Sequence, residues 1–115
     1  MSRTDAARPA PRLKHAAVRI AIVVAEFHGE IADRLLAGAR VRLAEAGMDE
    51  GRVDVHRVPG AFELPLAAEL LARGGRVAAI IALGAVIRGE TAHFDLVSNA
   101  AVMGLSRVSL DTRVP

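Results

Sequence analysis

The stretch ALGAVIRGETAHFD begins with an apolar run and then presents two side chains suited to chemistry. Thr91 and His93 are two residues apart, at the predicted start of a helix. An imidazole titrates near pH ~6.5 and suits proton transfer at neutral pH. A hydroxyl beside the free N–H groups of a helix start suits an anion such as phosphate. A simpler interpretation stays open, in which Thr91 caps the helix and His93 is an ordinary surface residue.

Two of the three aromatic residues follow other apolar runs in the same way. Phe27 stands in EFHG and Phe62 in VPGAFELP. An aromatic ring just past a strand either packs in the core or stacks on a planar ligand. For Phe27 both alternatives stay open, whereas Phe62 is expected to pack beneath its helix. Gly60 and Gly89 are expected to allow close backbone approach and unusual dihedral angles.

The elements that must position these residues alternate along the chain. Runs rich in Val, Ile and Ala predict strands at 18–27, 52–58 and 76–87. Helical spacing of apolar residues predicts helices within 28–51, 59–75 and 91–112. Short connections and continuously apolar strands indicate a parallel sheet, with helices on its faces reached by right-handed crossovers. The pattern therefore predicts an α/β layered fold.

In such a fold, ligands bind beyond the carboxyl ends of the strands. The loops that begin at Glu26, Val58 and Arg88 are therefore expected to meet at one end of the sheet. The chain has no cysteine and no pair of histidines four residues apart, so no metal site is predicted. Neither a phosphate-binding P-loop nor a dinucleotide fingerprint follows any strand.

Composition and charge divide the chain into a tail and one domain. Its 115 residues, of which 52% are hydrophobic and 24% charged, suit a single globular domain over 18–115. Residues 1–17 hold four basic residues and one acidic residue, which predicts a flexible basic tail. The tail could contact nucleic acid, but the domain lacks aromatic platforms and a basic surplus, so no nucleic-acid partner is expected. Without a membrane span or a signal-type segment, a cytoplasmic location is expected.

The paired stretches VPGAFELP and ALGAVIRGETAHFD resemble those of the lumazine synthases. Phe27 after the first strand and SLDTRVP near the end also fit, and the resemblance covers 18–115. The family has a flavodoxin-like three-layer fold. It condenses 5-amino-6-(D-ribitylamino)uracil with 3,4-dihydroxy-2-butanone 4-phosphate to 6,7-dimethyl-8-ribityllumazine, the penultimate step of riboflavin biosynthesis. Phosphate and water are released, and no cofactor is needed.

The resemblance implies a role for particular residues of this chain. His93 is the implied proton-transfer residue, and Glu90 and Thr91 fall at the turn that binds the phosphate of the butanone. Phe27 is implied to stack on the pyrimidinedione ring. The rest of the implied pocket for that ring and its ribityl chain is Ala61, Phe62, Glu63, Ala85, Val86 and Ile87.

The resemblance also implies assembly. Family members form homo-oligomeric pentamers with active sites between subunits, some reach decamers or 60-subunit shells, and riboflavin synthase is a further candidate partner. They usually continue past the position of Pro115 with another strand and helices, so the 115-residue chain is expected to have an uncovered sheet edge and weak or no activity. The alternatives are a non-catalytic flavin- or lumazine-binding, shell-forming relative and, less well matched, a response-regulator module.

Overall fold

A computed structural model of the chain describes residues 18–89 and 93–115. In chain order the elements are β1 (Ile20–Ala25), α1 (Gly29–Glu45), β2 (Val53–Val58), α2 (Leu64–Arg73), β3 (Ala79–Leu83) and α3 (Phe94–Thr112). Short 3-10 turns at Glu50–Arg52 and Ala61–Glu63 precede β2 and α2. This order confirms the predicted alternation of strands and helices. The predicted tail, as well as Glu90 and Thr91, lie outside the described residues.

The three strands form one parallel sheet in the order β2-β1-β3. In the register of this sheet, Ile20 of β1 is opposite Val53 of β2 and Ala79 of β3. All six residues of β1 are buried, because the strand has a neighbour on each side and helices over its faces. The continuous apolar run that predicted a buried strand is thereby explained, and the α/β fold class is confirmed.

Three layers follow from this topology. The chain moves from β1 to β2 in one direction and from β2 across to β3 in the other, so right-handed crossovers place α1 and α2 on opposite faces. α2 packs on α3 and on the sheet. Their shared core contains Val23 and Ala25 of β1, Leu64 of α2 and Ala101 of α3. On α1, Ala32 and Leu36 are the buried residues.

The contact between α2 and α3 is close at one point. A Cβ added at Gly104 of α3 would lie 2.6 Å from Cγ and 2.7 Å from Cβ of Pro65. Pro65 stands in the first turn of α2, where its fixed φ and missing N–H suit a helix start. Only a residue without a side chain allows the two helices to approach this closely.

The third strand is shorter than predicted. β3 ends at Leu83, and Gly84 follows, where an added Cβ would lie 3.3 Å from both Ala25 Cβ and Leu64 Cδ1. The backbone therefore passes tightly over the core and leaves the strand before Ala85. At the other end of the strand, the N–H of Ile80 donates to the carbonyl of Pro115 over 2.9 Å, so this edge of β3 is not entirely bare.

One other sequence prediction needs correction. α3 begins at Phe94 with His93 in the N-cap position, instead of the predicted start near Glu90 with Thr91 as the cap. The helical spacing of apolar residues in 59–75 did not show which face of α2 is buried: Leu66 and Leu70 are 62% and 67% exposed, whereas Leu64, Ala68 and Ala72 supply the buried face. Across the described part of the chain, no helix has both the length and the hydropathy to cross a membrane.

Candidate functional site

Two of the three predicted loops are joined by their own backbones at the carboxyl end of the sheet. The N–H of Glu26 donates to the carbonyl of Val58 over 2.8 Å, and that of Phe27 donates to Pro59 over 2.9 Å. These bonds continue the pairing of β1 with β2 past the last residues of the strands. The position of Phe27 relative to the Pro59-Gly60 turn is therefore fixed by main-chain bonds.

An apolar pocket of about 220 Å³ opens at this end of the sheet. The described residues that line it come from the first two loops, from the stretch that follows β3 and from α3: Phe27, His28, Gly60, Ala61, Phe62, Ala85, Val86, Ile87 and Val97. Small-molecule sites commonly enclose roughly 300–1,000 Å³. A ligand of that class would therefore extend beyond the part of the pocket that these residues enclose.

Both aromatic side chains of the loops face outward instead of packing in the core. Phe27 and Phe62 are each 63% exposed. Core packing, one of the two alternatives for Phe27, is thus wrong, and so is the expectation that Phe62 packs beneath its helix. The reason for Phe62 is that Ala61 and Leu64 already fill the space under the 3-10 turn and the start of α2. Both rings are accessible to a planar ligand.

His28 is a pocket residue that the sequence did not single out. It occupies the N-cap position of α1 with φ 63° and ψ 58°, which is the left-handed region. A residue with a side chain pays of order 1–3 kcal/mol for such a conformation. Its ring contacts that of Phe27 edge-on, with centroids 4.5 Å apart and planes at 73°. The sequence feature that could have identified His28 as a pocket residue is its position directly after Phe27, just past the end of β1.

Glu63 is near the pocket but not among its lining residues. Its Oε1 accepts a hydrogen bond from the N–H of Gly60 over 2.9 Å. This closes the turn that carries Ala61 and Phe62, as in a capping box. Gly60 itself has an extended backbone, φ −150° and ψ 176°, so the unusual dihedral angles predicted there are wrong. For Gly89 they are confirmed, with φ 91°.

His93 is exposed at the start of α3 and does not itself line the pocket. Its carbonyl accepts the N–H of Val97 over 2.9 Å, and Val97 does line the pocket. Residues four apart share one side of a helix, so His93 lies about one turn from the pocket wall. The sequence analysis did not assign Val97 to the site.

Positive charges flank the loops. The guanidinium carbon of Arg88 lies 4.6 Å from the centre of the Phe94 ring. Arg88 and Phe94 stand directly before Gly89 and directly after His93, so this contact links the two ends of that segment. Arg57, at the end of β2, approaches Glu26 Oε2 at 3.6 Å and Asp33 Oδ1 at 3.8 Å. At such lengths and exposures these ion pairs contribute little to stability.

The predicted pocket residues are therefore largely brought together. Phe27, Phe62 and the stretch 85–87 share one pocket with Ala61. Glu63 is turned toward the Gly60 turn, and His93 lies outside the lining. The predicted phosphate contacts Glu90 and Thr91 fall outside the described residues.

A parallel α/β sheet with an apolar pocket beyond its strand ends, open to aromatic stacking, defines a protein of the small-molecule-binding α/β class. Within that class the match is specific. A family model described as 6,7-dimethyl-8-ribityllumazine synthase matches residues 17–115, and the chain belongs to this family.

Several relatives carry the same description. The chain is 54% identical over 98 residues to the 6,7-dimethyl-8-ribityllumazine synthase of Kineococcus radiotolerans, covering 85% of this chain and 59% of that protein. It is 50% identical over 98 residues to that of Thermococcus gammatolerans, covering 85% and 62%. With the protein of Xanthomonas campestris pv. campestris it shares 47% over 103 residues, covering 90% and 67%. The chain thus spans about three fifths of the length of most of these relatives.

Proposed function

We propose that this chain forms part of a lumazine synthase. The enzyme joins 5-amino-6-(D-ribitylamino)uracil to 3,4-dihydroxy-2-butanone 4-phosphate and releases phosphate and water. The observation that carries the proposal is the pocket itself, which combines residues from the two stretches VPGAFELP and ALGAVIRGETAHFD with the exposed ring of Phe27. These are the stretches on which the resemblance depends, and the family match covers both of them.

The pyrimidinedione substrate is assigned to the apolar pocket. Its planar ring stacks on Phe27, since an exposed aromatic ring beside small apolar residues suits a flat heterocycle. Ala61 and Ala85, with Val86 and Ile87, leave space on the other sides of the ring. Glu63 contributes indirectly to this pocket. Its hydrogen bond to the Gly60 N–H holds in place the turn that carries Ala61 and Phe62.

The butanone phosphate is assigned to the turn before α3. Glu90 and Thr91 follow Gly89, whose φ of 91° is in the left-handed region that glycine adopts freely. Backbone N–H groups at a helix start favour an anion. His93 transfers protons as the imine forms and phosphate leaves, and binding both substrates side by side supplies a large part of the acceleration.

Assembly is part of the same proposal. The pocket is open, and a family ligand would extend beyond the lining residues, so a neighbouring subunit is proposed to complete it. A pentamer is the proposed unit, with decamers or 60-subunit shells as larger forms, and riboflavin synthase as a candidate partner. The reaction itself needs no cofactor. A cytoplasmic location stays a prediction from composition.

Mixing the purified protein with both substrates and following lumazine fluorescence tests the function. Product should form only when both substrates and the protein are present, faster than in a protein-free mixture. Such turnover by the 115-residue chain would contradict the weak or absent activity expected from its sequence. A protein that binds the lumazine without forming it would instead be the non-catalytic relative. The names of the relatives favour the enzyme.

A further inference from the structure

The described lining of the pocket is almost entirely apolar. Apart from His28, its residues are glycine, alanine, valine, isoleucine and phenylalanine. Apolar pockets obtain specificity from a few well-placed polar groups. A pyrimidinedione carries two ring carbonyls and N–H groups, which need hydrogen-bond partners when they leave water. Among the described residues, the side-chain group that meets this need inside the pocket is the imidazole of His28.

The backbone of His28 is held in a conformation that is uncommon for any residue with a side chain. Its φ of 63° is positive, and at the N-cap of α1 its side chain makes no capping hydrogen bond. Ser, Thr, Asp or Asn would be the usual choice at an N-cap, with an extended backbone. The helix therefore gains no side-chain cap from His28. The left-handed backbone instead leaves the imidazole among the pocket residues, beside Phe27.

The contact between the two rings connects His28 to the stacking surface. The ring centres are 4.5 Å apart in an edge-to-face arrangement, a favourable geometry for aromatic pairs. An imidazole in this position limits the orientations of the Phe27 ring. It also stands next to any heterocycle that lies on that ring.

We propose that His28 is a further substrate-binding residue of this site. Its imidazole hydrogen-bonds a polar atom of the pyrimidinedione substrate and keeps the Phe27 ring in its stacking orientation. This assignment rests on the proposed function, since it takes the ring of that substrate as the ligand. His28 serves binding, whereas proton transfer remains with His93.

Replacement by glycine tests the imidazole separately from the backbone. Glycine adopts a positive φ freely, so His28→Gly keeps the local conformation and loses the ring. The purified variant should unfold at the same temperature as the unaltered protein or higher. Its affinity for 6,7-dimethyl-8-ribityllumazine, measured by fluorescence titration, should fall about tenfold, which is the loss expected for one hydrogen bond and an aligned ring. Its KM for the aminouracil should rise similarly, with the KM for the butanone phosphate unchanged.

Two further variants make the test specific. His28→Asn retains a hydrogen-bonding side chain that tolerates the left-handed region and should keep affinity within about threefold. Arg113→Gly is the matched control, because Arg113 has φ 62° at the end of α3 and does not line the pocket. It should leave lumazine affinity unchanged.

Equal lumazine affinity in His28→Gly and the unaltered protein would overturn the assignment of His28. A rise in both KM values together would also contradict it, because that would indicate a general disturbance of the site. If the unaltered protein neither binds the lumazine nor forms it, the proposed function fails first.

Discussion

Among single residues, His93 and Val97 connect the start of α3 to the pocket. Val97 lines the pocket wall, and His93, one turn earlier, has an exposed side chain. An exposed imidazole exchanges protons with water readily. Its position about one turn from the pocket wall suits a proton transfer in which the proton comes from solvent and returns to it. The geometry thus separates the residue proposed for proton transfer, His93, from the residues proposed to bind the ring inside the pocket.

Replacing His93 by glutamine should lower kcat at least about 100-fold, because general acid–base groups typically contribute 10²–10⁴-fold. The KM for either substrate should change little, since the side chain does not line the pocket. Steady-state assays of lumazine formation measure both constants. His56→Gln is the matched control, as His56 is exposed on β2. A His93→Gln enzyme with unaltered kcat would remove His93 from the chemistry.

The sequence predicted single residues best where position along a strand decides their surroundings. Phe27 could be placed at the end of β1 because the apolar run stops there. Its exposure could not be predicted, since an aromatic ring just past a strand can either pack in the core or stay outside it. His28 was missed because the sequence indicates neither its left-handed backbone nor the main-chain bonds that join the first two loops beside it. Such bonds join residues about thirty positions apart and leave no local pattern.

For whole elements, the boundaries were less predictable than their order. The apolar run continues through Ala85 to Ile87, yet β3 ends at Leu83. A Cβ added at Gly84 would lie 3.3 Å from Ala25 Cβ and Leu64 Cδ1, so the backbone passes close to the core there before it reaches the pocket lining. Periodicity identifies a buried run but cannot distinguish a strand from an apolar loop that lines a pocket.

The packing of α2 on α3 gives a stability prediction. Gly104→Ala should destabilise the protein by about 1–2 kcal/mol, because the new methyl group would overlap the rigid Pro65 ring and force the helices apart. The cost of the overlap is therefore larger than the roughly 0.5–1 kcal/mol by which alanine stabilises a helix interior relative to glycine. Urea unfolding monitored by circular dichroism measures the difference.

The matched control for this change is Gly38→Ala on α1. Gly38 is also inside a helix, but an added Cβ there meets nothing within 4 Å. The substitution should therefore stabilise the protein by about 0.5–1 kcal/mol through helix propensity alone. Stabilisation by both substitutions would show that α2 and α3 do not pack as closely as described.

On the scale of the whole molecule, the fold was the most predictable feature. Alternating strand and helix patterns with short connections leave few topologies once crossovers are right-handed. The observed parallel order β2-β1-β3 is one of these topologies and places all three strand ends together. The surface was less predictable, because helical spacing alone did not show which apolar residues of α2 stay outside the core.

An apolar stripe on that surface is the best candidate for contact with another subunit. Phe62, Leu66 and Leu70 are four residues apart and are each more than 60% exposed. Side chains at this spacing lie on one side of a helix. Exposed apolar patches commonly mark protein interfaces. Because Phe62 also lines the pocket, a subunit that covers the stripe would lie beside the substrate.

A charge placed in the stripe should weaken the proposed assembly. Leu70→Glu should shift the oligomer toward smaller species and raise its dissociation constant at least about tenfold, since an apolar contact cannot solvate the carboxylate. Light scattering across a concentration series measures the mass. The control Ala37→Glu changes an exposed residue of α1 and should leave the mass unchanged. Unaltered assembly of Leu70→Glu would exclude this stripe as the interface and would require the open side of the pocket to be completed from another direction.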